Sequence, residues 1–276
     1  MTVGEFLNEA TATLKQAGVE SPRLDTLILL EDALKEDRAV ILAYLENELP
    51  EPTLTDLRNK IKARAQQIPL AYIRGHAPFY GREFFVTEHV LVPRPETEAM
   101  ITLLVTHAPK HVQHIADIGS GSGCLGITAA LELQEAGHAK PHTHLYDTSE
   151  SALEVAAHNI ERHRLEHACI HQRDLLHDII EHPDVILANL PYVPEHLEIN
   201  AGAKHEPAEA IFSGADGLDH YKRFWREAGE LAHQPQLIIT ESLPSQHHVN
   251  AELARAAGFY LTDSEGFAQA FAPLTD

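Results

Sequence analysis

The sequence predicts an α/β protein: a mostly parallel sheet of seven strands covered on both faces by helices, preceded by a small all-helical domain and a β-hairpin linker. Three observations carry this reading. Residues up to about Gln67 repeat apolar side chains only at helical spacing. From Ile101 onward strand-like runs alternate with helical ones, the signature of a parallel sheet with crossover helices. A glycine-rich turn, Gly119-Ser120-Gly121-Ser122-Gly123, stands where the first of those strands passes into a helix.

In order, the spacing predicts helices over Val3–Gln16, Pro22–Leu34, Ala39–Leu45 and Leu54–Ala65. Ser21 before Pro22 reads as an N-cap and first helical residue, and Thr53 before Asp56 as a weak capping box. From Tyr72 to Val92 short β-like pieces, rich in aromatic and β-branched residues, are broken by Gly75, Pro78 and Gly81. Strands follow at His114–Ile118, Thr143–Asp147, Ala168–His171, Val185–Ala188 and Leu237–Thr240. Helices are expected at Leu125–Glu135, Ala152–Arg162, Tyr221–Leu231 and Ser245–Ala256. Tyr260–Thr262 and Ala268–Ala272, with Glu265-Gly266 between them, read as an antiparallel hairpin added to the sheet. There is no internal repeat and no low-complexity segment.

At 276 residues and 44% hydrophobic content the chain can bury one full core and carry a small second domain. No apolar run approaches the roughly 20 residues that cross a bilayer, and Met1 to Ala10 lacks the basic-then-apolar order of a signal peptide. A cytoplasmic protein is expected. Cys124 and Cys169 are far apart and outside any zinc spacing, so both read as buried, reduced thiols. A formal charge of −20 would repel a phosphate backbone and disfavours DNA or RNA as a direct partner. The 20 histidines are scattered. His107, His111 and His114 are interrupted by Pro109, and His142 and His144 would share a strand face without carboxylates to complete a ligand set. They read as solvated surface histidines, with no metal.

The glycine turn lets the backbone approach a ligand that side chains would exclude. Some two dozen residues on, Asp147 ends the second strand, where its carboxylate can take both hydroxyls of a ribose. Strand, glycine loop, helix, strand and acid make a nucleoside-binding frame. Gly121, Gly123 and Gly126 also satisfy GxGxxG, so a nicotinamide cofactor has to be weighed. Two details favour S-adenosylmethionine instead. Asp117 stands directly before the glycines, where it would orient the loop or reach the cationic amino-acid part of that ligand, and the loop has no requirement for a helix N-terminus at a pyrophosphate. Asp174 and Leu175, after the third strand, are in position for an adenine amine.

After the apolar run Val185–Ala188 comes Asn189-Leu190-Pro191-Tyr192, at the carboxyl end of a strand where such sheets bind ligands. An amide nitrogen is a poor nucleophile because its lone pair is delocalised into the carbonyl. A catalyst for its methylation should aim acceptors at the two N–H groups, which suits the Asn189 side-chain oxygen and the Leu190 carbonyl. Pro191 would hold the turn and Tyr192 would pack on the flat group. The chemistry by itself points to methylation of a planar nitrogen, an amide or an exocyclic amine. An adenine-N6 methyltransferase acting on a flipped base is the alternative; a non-catalytic protein with a decayed site at Leu190 is opposed by Asn189, Pro191 and Tyr192.

Over nearly its whole length the chain resembles the HemK/PrmC family, the release factor glutamine methyltransferases. The resemblance is carried by Pro69–Gly75 leading to Leu91-Val-Pro-Arg-Pro-Glu-Thr-Glu98, by Asp117–Gly123, by Asn189–Tyr192, and by Glu206–Gly214 continuing to Asp216-Gly217-Leu218. It implies a Rossmann-like methyltransferase fold, with residues 1–68 docking a release factor, 69–95 as linker and 96–276 as catalytic domain. It further implies that the enzyme methylates the side-chain nitrogen of the glutamine in a Gly-Gly-Gln motif of the release factor; a monomer is expected. Carried over by position, Gly119, Ser120, Gly121, Ser122, Gly123, Asp147 and Asn189 would contact the cofactor and Asn189–Tyr192 would hold the substrate amide. Arg94 and Glu96 would be walls of the site, or an Arg–carboxylate pair bracing the linker. The chain departs from the family at Leu190, where proline is usual, and at Thr240-Glu241-Ser242-Leu243, where a glycine usually stands two residues after the acid.

Overall fold

The computed structural model describes residues 1–179 and 182–274, so Ile180, Glu181 and the last two residues of the expected span 96–276 lie outside it. Two compact units emerge: residues 1–76 with 199–205, and residues 77–198 with 206–274 of those described.

In the first unit α1 (Val3–Gln16), α2 (Pro22–Leu34), α3 (Arg38–Ala43) and α4 (Glu51–Ala65) follow the helical periodicity. Thr2 closes a capping box with Glu5 at the start of α1. The apolar stripes meet in one core that includes Phe6, Leu14, Leu29, Leu30 and Leu57. Asp25 of α2 and Arg64 of α4 form a buried ion pair at 2.7 Å. Ser21 occupies the N-cap position of α2 but spends its hydroxyl on Asp25 rather than on the backbone. The expected box at Thr53 is absent, because α4 starts earlier, at Glu51 after Pro50, and accepts Pro52 in its first turn.

The segment read as β-like from Tyr72 begins instead with a short helix, α5 (Leu70–Arg74). Pro69 starts it and Gly75, at φ +77°, ends it in the left-handed conformation. These start and stop signals outweigh the β preference of Tyr72 and Ile73. A hairpin follows, β1 (His76–Phe79) and β2 (Arg82–Phe85), turned by Tyr80 and Gly81 at φ 48° and 72°, the two-residue geometry that suits strand twist.

In the second unit the alternation expected from sequence appears in full: α6 (Glu98–His107), β3 (His114–Ile118), α7 (Cys124–Glu135), β4 (His142–Asp147), α8 (Glu150–Arg162), β5 (Ala168–Gln172), β6 (Val185–Ala188), α9 (Asp219–Gly229), β7 (Leu237–Glu241), α10 (His247–Ala256), β8 (Phe259–Glu265) and β9 (Ala268–Pro273). The seven strands run in the order β5-β4-β3-β6-β7-β9-β8, the first five parallel and the last two joined antiparallel. Successive residues of each strand feed opposite cores. Ile115, Leu145, Val185, Leu187 and Ile239 pack with α6, α7 and α8. Ala116, Tyr146, Ile186, Ala188 and Ile238 pack with Tyr221, Trp225 and Phe271.

Two surface expectations are corrected. Cys169 is exposed, because β5 is an edge strand. The histidines are not all solvated: His144 is 8% exposed, and across β3, β4 and β5 its ring lies between those of His114 and His171, with ring nitrogens 3.5 and 3.1 Å apart. Parallel pairing brings these residues side by side at positions distant in sequence. Among the described residues no group of three or more His, Cys, Asp or Glu is arranged to hold a metal ion, and no helix is long and apolar enough to cross a membrane.

Candidate active site

The sheet order reverses between β3 and β6: from β3 the chain runs outward through β4 and β5, then returns to the other side of β3. A crevice opens at the carboxyl ends of the strands at such a point. One pocket there is lined by the glycine loop, Asp117, Asp147, Asp174, Leu175, Asn189, Leu190 and Pro191. Residues remote in sequence are brought together because Ile118 pairs with Ala188 and with Tyr146, so their strands end level.

The loop is built by backbone. The N–H groups of Gly119 and Ser120 both donate to the Tyr146 carbonyl, and Gly119, Gly121 and Gly123 all have positive φ. The Asp147 carboxylate accepts from Gly121 N–H and from Ser149 N–H, each at 2.9 Å, which ties the acid to the loop while its remaining lone pairs stay at the pocket wall. Ser120 Oγ is buried with no partner among the described residues, so the cradle holds a polar atom unsatisfied by the protein. Asp117 turns beneath the loop. It accepts from Gly126 N–H at 2.8 Å, and burial pushes its carboxyl up to about 7. A Cβ on Gly126 would stand 2.6 Å from Leu145 and 2.8 Å from Asp117, so only glycine admits this approach of α7 to β3. Asp174 lines the pocket, but its carboxylate is ion-paired with Arg223 at 2.7 Å. Leu175 is held at φ 51°, unusual for a side chain of its size.

Of the tetrapeptide, Asn189, Leu190 and Pro191 line the pocket and Tyr192 does not. Asn189 Nδ2 donates to Thr97 Oγ1 at 3.1 Å. The Tyr192 hydroxyl donates to Glu241 Oε1 at 2.9 Å. Leu190 makes use of the N–H that a proline would lack, donating to the Tyr221 hydroxyl at 3.4 Å, and its side chain packs over Gly119. Arg94 lines the pocket; Glu96 is exposed and does not. The carboxylate that pairs with Arg94 is Glu206, which also accepts from Val92 N–H at 3.0 Å. The Leu91–Glu98 and Glu206–Gly214 stretches, noted separately in the sequence, are thus each other's partners.

Thr97, Glu206 and Glu241 have no individual role in the sequence reading, although each lies inside a stretch that it names: Leu91–Glu98, Glu206–Gly214 and Thr240–Leu243; Glu241 ends β7 beside β6. Burial pushes the Glu241 carboxyl above the usual range; its Oε1 accepts from the Tyr192 hydroxyl and its Oε2 is buried with no hydrogen-bond partner among the described residues. The Tyr192 hydroxyl, raised first by burial and then by Glu241, stays protonated.

A family model described as the PrmC N-terminal domain matches residues 5–75, and one described as the methyltransferase small domain matches residues 96–216. A release factor glutamine methyltransferase of Bacillus anthracis is 34% identical over 251 residues, covering 87% of this chain and 86% of that protein. One from Moorella thermoacetica is 34% identical over 267 residues, covering 94% and 92%. Among solved structures, the hMettl16 catalytic domain in complex with MAT2A 3'UTR hairpin 6 aligns with a TM-score of 0.52 over 82% of this chain and 83% of that one. At 12% identity that likeness concerns the fold alone.

Proposed function

Because this chain belongs to the release factor glutamine methyltransferase family, we propose that it transfers a methyl group from S-adenosylmethionine to the side-chain amide nitrogen of the glutamine in the Gly-Gly-Gln motif of a peptide chain release factor. One observation carries the chemistry: the acceptor-bearing segment Asn189–Pro191 and the glycine loop with Asp147 line the same pocket. Residues 1–68 would dock the release factor, 69–95 would be the linker and 96–276 the catalytic domain; the methyltransferase small domain match over 96–216 supports the start of the last, while the PrmC N-terminal match runs on to residue 75. A release factor substrate implies a cytoplasmic enzyme, and the formal charge of −20 argues against direct contact with nucleic acid.

The residues present fit the cofactor. Gly119–Gly123 would admit its amino-acid and sulfonium portion, with Ser120 Oγ free to bond it; Asp147 would take the ribose hydroxyls, and Asp174 and Leu175 would border the adenine. When bound, S-adenosylmethionine supplies an electrophilic methyl on a cationic sulfur. The chain's own part is positional. The Asn189 side-chain oxygen and the Leu190 carbonyl accept the two amide hydrogens, which aims the nitrogen and keeps electron density on it as it bonds carbon. Tyr192 and Arg94 would border the glutamine. No strong base is required, since the product amide can release its proton to water.

Incubation of the protein with a release factor and labelled cofactor should place one methyl on the Gly-Gly-Gln glutamine, read by mass spectrometry. An unmodified factor would refute the reading, and methylation of an adenine-containing nucleic acid would replace it with the alternative. Asn189→Ala should lower methyl transfer by about a hundredfold or more while S-adenosylhomocysteine binding survives in part. Equal loss of both would mean that Asn189 serves the cofactor alone.

A further inference from the structure

The two halves of the glycine loop are held from different directions. β4 holds the first: the Tyr146 carbonyl accepts from Gly119 and Ser120, and the Asp147 carboxylate from Gly121. The second half is held by α8. Asn159 Nδ2 donates to the Ser122 carbonyl at 2.9 Å, and the Gly123 N–H of the same peptide unit donates to the Ser120 carbonyl at 2.7 Å. Both polar ends of that peptide are therefore fixed, and Ser122 lines the pocket.

The rest of the Asn159 amide goes to the linker hairpin. Its Oδ1 accepts from the Phe85 N–H at 2.7 Å and its Nδ2 donates to the Phe85 carbonyl at 2.9 Å, so the side chain pairs with the end of β2 as a neighbouring strand would. Only one orientation of the amide, oxygen on the N–H and nitrogen on the two carbonyls, serves all three groups. Asn159 is fully buried, so bulk water does not compete for these bonds. One side chain thus joins segments 74 and 37 positions away from it in the chain. The hairpin has other anchors: Phe84 packs in the core, Arg82 pairs with Glu132, and Arg162 Nε and His163 Nε2 each donate to the Glu83 carbonyl at 3.1 Å.

Resting on the reading of the glycine loop as the S-adenosylmethionine cradle, we propose that Asn159 is a positioning residue that ties the Ser122 carbonyl to β2, so that cofactor binding and the seating of the linker hairpin stabilise each other. Such coupling is reciprocal: whatever the seated hairpin contributes to the order of the loop, the bound cofactor returns to the hairpin. Asn159 does not itself line the pocket, so its effect falls on cofactor affinity and leaves the chemical step alone.

The first test needs no substitution. In wild type, saturation with S-adenosylhomocysteine should slow hydrogen exchange at the Phe85 N–H, followed by nuclear magnetic resonance, about tenfold or more. That slowing should exceed the one at amides of β8 and β9, which lie on the opposite side of the sheet from β4. Asn159→Ala, assayed well below its melting temperature, should bind S-adenosylhomocysteine about tenfold or more weakly. Its KM for S-adenosylmethionine should rise while kcat on a release factor stays close to wild type. Arg162→Ala removes one hairpin anchor and no bond to the loop. It should speed exchange at Phe85 yet keep affinity within about twofold of wild type, because a hairpin still seated most of the time takes little from the ligand.

Exchange at Phe85 slowed no more than at β8 and β9 would overturn the proposal, and that result decides alone if Asn159→Ala does not fold. Wild-type affinity in a folded Asn159→Ala, or an equal loss in Arg162→Ala, would overturn it too. A wild-type protein that binds no S-adenosylhomocysteine would strike the cofactor reading instead. The tie would then be judged without ligand by exchange at the Gly123 N–H, which should quicken in Asn159→Ala; unchanged exchange there would refute it.

Discussion

Asp117→Asn tests the electrostatics of the glycine loop. Burial, reinforced by the negative Asp147 and opposed by the Gly126 N–H, pushes the Asp117 carboxyl up to about 7 from an ordinary 3.8. A folded-state value above the unfolded one means that the group favours folding fully at pH below about 4 and loses that contribution as pH rises through about 7. Between pH 5 and pH 8 the linkage relation then removes about 2 to 3 kcal/mol of stability. Asparagine can still accept from Gly126 N–H with its side-chain oxygen and has no charge to bury. The assay is equilibrium urea unfolding of the ligand-free protein followed by fluorescence of Trp225, the single tryptophan, which is 1% exposed in the core of the sheet and so reports on that unit. The stability of Asp117→Asn relative to wild type should rise by about 2 to 3 kcal/mol from pH 5 to pH 8. A difference independent of pH would refute the reasoning, because it would mean that Asp117 does not change its ionisation across that range.

Gly126→Ala should weaken S-adenosylhomocysteine binding about tenfold or more and destabilise the fold by about 1 to 3 kcal/mol, since its Cβ would meet Leu145 and Asp117 below 3 Å; calorimetry and thermal melting measure the two effects. Tyr221→Phe should lower stability by about 2 to 4 kcal/mol in the Trp225 unfolding assay. Its buried hydroxyl serves the Ala188 and Glu241 carbonyls and the Leu190 and Glu241 N–H groups. Glu206→Ala frees Arg94 and leaves Val92 N–H without its acceptor, so cofactor-product affinity should fall by about fivefold or more, whereas affinity unchanged by calorimetry would show that the Leu91–Glu98 segment keeps its place without Glu206.

How much could be read from the chain depended on the range of the force involved. β6 was legible to the residue because Val185–Ala188 is a continuous apolar run, and α1 and α2 because their stripes repeat every turn. The glycine turn was legible because positive φ is a local demand with a local residue to meet it. α5 was misread because its composition favours a strand while Pro69 and Gly75 punctuate a helix. Solvation of the histidines was misjudged because the stacking of His114, His144 and His171 depends on which strands pair.

The sequence by itself therefore determined the alternating α/β order, the glycine loop, the acid at Asp147 and the tetrapeptide at Asn189, all set by dihedral preference, periodicity or the chemistry of adjacent residues. Tertiary structure alone decided that Glu206 is the partner of Arg94 and Val92 across 112 and 114 positions of chain, that the Leu190 N–H has Tyr221 as its acceptor, and that the Tyr192 hydroxyl meets Glu241. Glu241 reaches the tetrapeptide because β7 pairs beside β6, and no preference of a single residue encodes which strand ends or loops will be neighbours.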